Sequence, residues 1–275
     1  MLEIPEVITI KNQLNKTVKN KQIKKVIAAS SPHKFAWFSG DPVLYNEILK
    51  NKKITRAEAF GGRIELDIED AFLNFGDGVN LRYYENEALI PKKHQLLIEF
   101  HDNTFLIATI AMYGGIWCFK ADAEIDDFYY KASKNALSPL SDKFDFEIFK
   151  RLINEKTIKM SAKAFLATEQ RIPGLGNGVL QDILLNAKIH PKKKMNTLTN
   201  EQIEILFQSM KSTLKEMTDN GGRNTERDLL GNFGNYITKL SKNSILSICP
   251  NCGGSLTKEN YMGGSIYFCE CCQEK

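Results

Sequence analysis

The stretch CPNCGGSLTKENYMGGSIYFCECCQEK, residues 249–275, contains two C-x₂-C pairs separated by sixteen residues. This spacing is typical of a zinc site with four thiolate ligands on two short hairpins. A segment this short buries too little apolar surface to fold alone, so a bound metal is expected to hold it together. Four thiolates leave no open coordination position, which predicts a structural Zn²⁺ in a C-terminal ribbon. The predicted ligands are Cys249, Cys252, Cys269 and Cys272.

The alternative interpretation of these cysteines is a pair of disulfides in a secreted protein. Only one other cysteine lies outside the last 27 residues, however, and the N-terminus has no secretory signal sequence. The 275 residues carry a net charge of +4, and no apolar run is long enough to span a membrane. We therefore expect a cytoplasmic globular protein without a membrane partner. Its mildly basic charge is compatible with a polyanionic ligand.

Hydrophobic patterning divides the chain into a β-rich part, a helical part and the ribbon. Residues 5–20 fit a helix opened by Pro5, and residues 22–118 hold short alternating runs that predict a sandwich or barrel. We expect domains at 1–120, 142–245 and 246–275, with a linker at 121–141. Predicted strands are 23–28, 54–59, 63–68, 71–75, 96–100 and 104–110; predicted helices are 144–154, 162–168, 179–186, 199–220 and 227–231.

Two local predictions follow from side-chain chemistry. Ser161, Asn177 and Thr199 are expected to cap their helices, because their side chains accept hydrogen bonds from first-turn amides. Trp37 and Trp117 lie in apolar stretches and are expected in the core rather than on a base-stacking surface.

The helical part contains RIPGLGNGVLQDILLNAKIHP at residues 171–191, in which three glycines surround Asn177 and a helix follows at once. Such a turn presents backbone N–H groups, including those around Gly176, and the positive end of a helix dipole, which together suit a phosphate. A tight turn between two helices is the simpler interpretation of the glycines alone. No Gly-Lys-Ser/Thr follows, so the turn is not a nucleotide-binding P-loop.

Three separated motifs are informative in combination. The first consists of Lys163, the G-L-G-N turn that ends at Asn177, and A-x-I-H-P at 187–191. The second is LSPLSD at 137–142, and the third is the opening MLEIPEV. They resemble the helix–two-turn–helix, the linker and the opening M-P-E-L-P-E-V of the formamidopyrimidine-DNA glycosylase/endonuclease VIII family. The resemblance covers the whole chain and implies an α+β multidomain fold with an N-terminal β-sandwich.

The resemblance implies a DNA base-excision-repair glycosylase, with or without AP lyase action, that works on a flipped nucleotide. The implied partner is double-stranded DNA with a damaged base or an abasic site, bound by a nucleoid-associated monomer. Lys163 and Asn177, with Gly176 in the same turn, match positions that bind DNA phosphates. Glu3 matches the acid/base carboxylate that acts on the deoxyribose, a role that suits a proton donor beside the sugar.

The N-terminus departs from the family pattern, because Leu2 occupies the place of the family's proline nucleophile. A bulky second residue blocks methionine removal, so Met1 is expected to remain and to supply the α-amine. An α-amine with a pKa of about 8 is roughly one tenth neutral at pH 7. In that form it can attack a sugar aldehyde to form a Schiff base. A water activated by Glu3 or Asp77 is the alternative nucleophile.

The predicted DNA contacts depart from the family as well. The family's strand lysine is replaced by glycine or, in a shifted register, by Arg63, and its ribbon arginine is replaced by Gly264. In the loops that fill the gap left by a flipped base, Asp77 takes the place of a methionine. Met112 and Tyr113 fall near the place of an Arg-Phe pair and could still form a wedge.

These departures leave open a second hypothesis, a weak or inactive family member that binds damaged or structured DNA. A third hypothesis, an unrelated zinc-ribbon protein that binds RNA or protein, requires all three motif matches to be accidental. Residues 221–236 resemble the family's lesion-capping region, but the sequence assigns no contact to Arg223 or Tyr236.

Overall fold

The N-terminal part of the chain is a helix packed on two β-sheets. It is described by a computed structural model that covers residues 2–76, 78–244 and 248–275. The elements are α1 (Ile4–Thr17), β1 (Ile23–Ala28), β2 (Ala36–Phe38), α2 (Tyr45–Leu49), β3 (Ile54–Phe60), β4 (Arg63–Ile68), β5 (Ala71–Gly76), β6 (Val79–Tyr84), β7 (Leu96–Phe100), β8 (Phe105–Ile110) and β9 (Gly114–Lys120).

The two sheets form the expected β-sandwich. One sheet is antiparallel with strand order β1-β7-β8-β6, and the other has order β2-β9-β5-β4-β3 with β2 parallel to β9. Helix α1 buries Val7, Ile10 and Leu14, which helical spacing puts on one face. These side chains share a single core with the inward-facing residues of both sheets. The prediction of an α+β fold with a β-sandwich is confirmed.

Strands β2, β6 and β9 were not predicted. Gly114 and Gly115 resemble a turn signal, yet they begin β9, where Gly115 pairs with Gly76 of β5. The Trp117 ring lies so close to Gly115 that an added Cβ would be 2.2 Å from it. Trp117 is buried as expected. Trp37 is 49% exposed, so its expected place in the core is wrong; it instead covers Trp117 with a centroid distance of 4.9 Å.

The middle of the chain is helical. Its helices are α3 (Phe128–Asn135), α4 (Phe146–Arg151), α5 (Ala162–Ala167), α6 (Asn177–Asn186) and α7 (Asn200–Asp219), of which α3 lies inside the predicted linker. Residues 227–231 form no helix, contrary to expectation. The Asp228 side chain accepts hydrogen bonds from the N–H groups of Leu230 and Asn232, and Gly231 has a φ of +88°. These features close a turn instead.

Helix capping follows the sequence at two of three predicted positions. Ser161 accepts a hydrogen bond from the Ala164 N–H, and Thr199 forms a capping box with Gln202. The N-cap of α6 is Gly176 rather than Asn177. Its first-turn amides are bound instead by the side chain of Glu3, which arrives from the start of α1.

The C-terminal part is a hairpin of β10 (Leu256–Tyr261) and β11 (Gly264–Cys269). A small apolar cluster that includes Leu185 of α6 and Leu240 joins it to the helical part. The Gln273 side chain adds a hydrogen bond to the carbonyl of Ile189. None of the helices in the described ranges is both long and apolar enough to cross a membrane.

Candidate active site

A cleft of about 480 Å³ lies where the sandwich, the helical part and the ribbon meet. Most of the residues that the sequence singled out line this one cleft. Met1 and Asp77 lie outside the described residues. The predicted site residues that line the cleft are Leu2, Glu3, Arg63, Met112, Tyr113, Lys163, Gly176 and Asn177.

Close backbone contact between two turns closes the back of the cleft. Gly174 has a φ of +80°, and an added Cβ there would lie 2.3 Å from the carbonyl carbon of Gly61. Only glycine suits both the conformation and the contact. The carbonyl of Gly174 also accepts a hydrogen bond from the Ile4 N–H at 3.0 Å. The glycine-rich turn therefore holds the start of α1 against the sandwich.

Glu3 lies at the N-terminus of α6 and is buried. Its two carboxyl oxygens accept hydrogen bonds from the N–H groups of Gly178 and Val179, at 2.9 and 2.7 Å. The positive end of the helix dipole favours a carboxylate at this position. Burial raises the pKa of Glu3 above its ordinary value, although Arg223 and the two amides oppose that rise. The carboxyl group therefore retains its proton to a higher pH than an exposed glutamate does.

Two residues that the sequence analysis gave no site role complete this arrangement. The Arg223 guanidinium binds both oxygens of Glu6, and its Nη1 lies 3.5 Å from Glu3 Oε2. Glu6 could have been found from the sequence, because it lies three residues after Glu3 on one face of α1. Arg223 could not, since its only signal was a place after two glycines in the region 221–236.

Lys163 and Asn177 meet at the tip of the ribbon. Lys163 Nζ donates a hydrogen bond to the carbonyl of Tyr261 at 2.6 Å, and burial lowers the pKa of Lys163. Asn177 Nδ2 donates to the carbonyl of Ser265 at 3.0 Å. Since Gly176 caps α6, the Asn177 side chain is available for this contact. An added Cβ at Gly264 would lie 3.6 Å from Lys163 Nζ, so the two predicted phosphate ligands flank the ribbon tip.

Gln181, one turn further along α6, is a further docking residue that the sequence analysis missed. Its Nε2 donates to the carbonyl of Ser265, and its Oε1 accepts from the Tyr267 N–H at 3.0 Å. The side chain is buried, so each of these bonds replaces one that water would otherwise make. Gln181 thus fixes the ribbon hairpin on the same helix whose N-terminus holds Glu3.

Arg63 lines the cleft but directs its guanidinium into a buried polar group. Its Nη1 donates to Asn74 Oδ1 at 3.0 Å, and the guanidinium lies 4.3 Å from the centre of the Trp117 ring. Asp127 Oδ1 is 3.9 Å from its Nη2. A contact between Arg63 and a phosphate would require these contacts to rearrange.

The remaining cleft residues differ in exposure. Met112 and Tyr113, between β8 and β9, are 68% and 47% exposed. Large exposed side chains of this kind beside a cleft have the chemistry of a base-step wedge. Leu2 has the opposite environment: its side chain is buried in the sandwich core.

The four predicted cysteine ligands come together in the ribbon. Their sulfur atoms all lie within 4.8 Å of one another, with Cys249 Sγ 3.8 Å from Cys272 Sγ and Cys252 Sγ 3.5 Å from Cys269 Sγ. A tetrahedral ion with Zn–S bonds of about 2.3 Å sets its sulfurs about 3.8 Å apart. The four thiols therefore fit a tetrahedral zinc ion.

The fold and the cleft define a class of protein: a β-sandwich joined to a helix–two-turn–helix and a cysteine ribbon, with Leu2 and Glu3 at their junction. A family model described as the formamidopyrimidine-DNA glycosylase H2TH domain matches residues 136–228. A formamidopyrimidine-DNA glycosylase of Mycoplasma mobile is 28% identical over 100% of this chain and 99% of its own length. One from Lactococcus lactis subsp. cremoris is 25% identical over the full length of both chains.

Solved structures agree with these matches. The Lactococcus lactis Fpg in complex with abasic-site DNA superposes with a TM-score of 0.83 and 24% identity, over 99% of this chain and all of that one. A structure of MutM with carbocyclic 8-oxo-G DNA gives a TM-score of 0.84 with the same identity and coverage. These likenesses establish the fold. The chain is similar over its whole length to formamidopyrimidine-DNA glycosylases, which supports the resemblance that its motifs indicated.

Proposed function

We propose that this protein is a DNA glycosylase of base excision repair, acting on a nucleotide flipped out of double-stranded DNA. The observation that carries the proposal is the buried carboxyl group of Glu3 in the same cleft as Lys163 and Asn177. Relatives over the whole chain are named formamidopyrimidine-DNA glycosylases, and the matched structures hold abasic-site or damaged-base DNA. Both support DNA of that kind as the partner.

Glu3 is the proposed proton donor. Its buried carboxyl group keeps a proton at higher pH than an exposed glutamate, which is the state a general acid needs. In the proposed reaction an amine nucleophile attacks the anomeric carbon, the bond from that carbon to the ring oxygen breaks, and Glu3 gives its proton to that oxygen. The amine nitrogen then loses a proton and expels the base as an imine forms, and the base takes up that proton through water. The α6 amides that bind Glu3 then stabilise the carboxylate that remains.

The proposed nucleophile is the α-amine of Met1, because Leu2 favours retention of the initiator methionine. Leu2 lines the cleft, with its side chain in the sandwich core. The resulting imine at the anomeric carbon would allow strand cleavage as an AP lyase. A water activated by Glu3 or Asp77 is the alternative and would release the base without an imine.

The other proposed contacts with DNA are of two kinds, to phosphates and to the base stack. Lys163, Asn177 and the backbone at Gly176 are proposed to bind phosphates near the lesion, with Arg63 available only if its buried contacts open. Met112 and Tyr113 are proposed to fill the gap left by the flipped base. Gly264 has no side chain that could reach a phosphate, so the cation at this end of the cleft is Lys163.

The ribbon is proposed to hold one structural Zn²⁺ through Cys249, Cys252, Cys269 and Cys272, which keeps β10 and β11 docked on α6. We propose a division into a sandwich domain at 1–120, a linker at 121–141, a DNA-binding domain at 142–245 and the ribbon at 246–275. A cytoplasmic, nucleoid-associated monomer is the proposed working form.

The test is base release from duplexes that each carry one of a panel of oxidised bases, with Glu3→Gln as the matched variant. The wild type is expected to release at least one lesion base, and Glu3→Gln to lower the single-turnover rate about 10²–10⁴-fold. Binding to a duplex with an uncleavable abasic-site analogue should be retained by the variant. Binding without base release from any duplex would instead support the DNA-binding hypothesis.

A further inference from the structure

We propose that Arg223 is a positioning residue for Glu3, which holds the Glu3 carboxyl group at the N-terminus of α6 by sharing one positive charge between Glu3 and Glu6. The proposal rests on the function proposed above. It assigns a role to a residue of the segment 220–236 that neither the sequence motifs nor the comparisons assign.

The geometry of Arg223 is fixed on the Glu6 side. Its Nε and backbone N–H donate to Glu6 Oε1 at 3.0 and 3.1 Å, and its Nη2 donates to Glu6 Oε2 at 2.8 Å. This fork leaves Nη1 directed to Glu3, 3.5 Å from Oε2. All three side chains are buried, with exposures of 2–4%. The guanidinium therefore has one orientation, set by Glu6, in which it can act on Glu3.

Space for this arrangement comes from Gly178. An added Cβ at Gly178 would lie 1.7 Å from Arg223 Nη1 and 2.9 Å from Glu3 Oε1. Any side chain at this position of α6 would therefore displace the guanidinium or the carboxyl group. The glycine that follows Asn177 leaves the room in which Arg223 reaches Glu3.

The guanidinium of Arg223 is the cation that contacts both buried carboxyl groups, Glu3 and Glu6. Two buried carboxyl groups close together cannot both ionise easily without a cation. Burial raises the pKa of Glu3, Arg223 lowers it and Glu6 raises it again. Burial would lower the pKa of Arg223, but Glu3 and Glu6 raise it, so the guanidinium stays charged. Lys163 and Arg63 line the same cleft as Glu3, Glu226 acts on Arg223, and Asp182 lies one turn further along α6.

Arg223 also joins Glu3 to the segment 220–236. The N–H of Asn224 donates to the carbonyl of Tyr236, and the N–H of Tyr236 donates to the carbonyl of Gly222, so Arg223 is held within a closed turn. Tyr236 is in turn bound to Asp182 of α6. A displacement of this segment would move the positive charge away from Glu3, which links the segment to the protonation of the proposed acid.

The experiment compares Arg223→Met, Arg223→Lys and Glu6→Gln with the zinc-loaded wild type. The first readout is the pH dependence of single-turnover base release, in which the alkaline limb marks loss of the Glu3 proton. The second is a ¹³C NMR titration of the Glu3 carboxyl carbon, assigned with Glu3→Gln, which needs no activity. The matched control is Arg171→Lys, a buried arginine whose partners are backbone carbonyls and Glu169.

Removal of the cation and removal of the second carboxylate should shift the Glu3 titration in opposite directions. Arg223→Met removes the cation, so the alkaline limb and the carboxyl titration should move up by about one pH unit or more. Glu6→Gln removes a competing carboxylate but keeps an oxygen acceptor for Arg223, so both should move down. Arg223→Lys should restore part of the wild-type profile, and Arg171→Lys should leave it unchanged.

The outcomes that test the role of Arg223 can be distinguished from those that test the glycosylase proposal. If Glu6→Gln folds but leaves the Glu3 titration where it is in the wild type, Glu3 and Glu6 do not share the charge of Arg223 and the proposal is wrong. The same holds if Glu6→Gln and either Arg223 variant shift the titration in one direction. If Arg223→Met does not fold, the other two variants still decide the question. A wild type without base release would refute the glycosylase proposal, while the NMR titration would still test Arg223.

Discussion

Gly178→Ala is expected to destabilise the protein, although the substitution lies in a helix where alanine normally stabilises. Position 178 is in the first turn of α6, and alanine there should gain about 1 kcal/mol from helix propensity. The added methyl group would, however, overlap Arg223 Nη1 at 1.7 Å. The end of an exposed arginine would move aside at little cost. The Arg223 side chain is buried and bound to Glu6 by two hydrogen bonds.

The magnitude follows from the contacts that must break. Separating a buried ion pair and leaving one partner uncompensated costs about 3–5 kcal/mol. Subtracting the propensity gain leaves a net destabilisation of about 2–4 kcal/mol. For a chain of this size each kcal/mol lowers the melting temperature by about 2–4 °C. Differential scanning calorimetry of zinc-loaded protein at pH 7 measures the change.

The double variant makes this prediction specific. In an Arg223→Ala background the overlap with Nη1 is gone and only the 2.9 Å approach to Glu3 Oε1 remains, so Gly178→Ala should be close to neutral. The cost of one methyl group therefore depends on the residue at position 223. A melting temperature raised by Gly178→Ala in the wild-type background would refute the geometry of the Glu3–Arg223–Glu6 group.

Three further predictions concern the cleft and the ribbon. Lys163→Met should weaken binding to an abasic-site duplex and lower the slope of log Kd against log salt by about 0.9, whereas the exposed control Lys159→Met should not; equal slopes would remove Lys163 from the phosphate contacts. Gln181→Leu removes the acceptor of the Tyr267 N–H, so hydrogen exchange at that amide should accelerate roughly ten-fold or more, since such a loss costs about 1–3 kcal/mol. Cys252→Ser should abolish stoichiometric zinc by mass spectrometry, whereas Cys271→Ser, outside the four-thiol group, should retain one ion per chain; equal zinc in both would contradict the ligand assignment.

The parts of the site that could be predicted are those with a fixed spacing in the sequence. The spacing of the two C-x₂-C pairs predicts the four-thiol group, and the glycine-rich sequence predicts a turn before α6. The helical period of α1 placed Val7, Ile10 and Leu14 in the core without tertiary information. These signals are local, so residue type and separation are sufficient to interpret them.

The parts that could not be predicted depend on contacts between distant segments. Asn177 has the chemistry of an N-cap, yet Glu3 occupies that role from 174 residues away in sequence, and no local pattern contains that competition. The sequence assigned no contact to Arg223, which is buried beside Glu6 of α1 and the first turn of α6. Trp37 is apolar enough for a core but lies on β2, at the edge of its sheet, where one face stays exposed. Tertiary packing overrode local preference in each case.

The departures of this chain from the family pattern that fall on described residues lie at the cleft. Leu2 is accommodated by burial in the sandwich core, and Gly264 leaves the ribbon tip flanked by Lys163 and Asn177. The scaffold, the buried acid and the four-thiol group are all present. The proposed nucleophile is a single atom, the α-amine nitrogen of Met1. The imine that it would form with the deoxyribose can be reduced to a stable adduct and identified.

Borohydride trapping on a duplex with a single abasic site tests the central claim most directly, with the adduct mapped by peptide mass spectrometry. We predict a covalent protein–DNA adduct on the N-terminal peptide, at the Met1 amine. It should persist in Lys163→Met at saturating DNA and be lost when the amine is acetylated. No adduct at any DNA concentration, together with no base release from any lesion duplex, would contradict the assignment of this cleft as a glycosylase site.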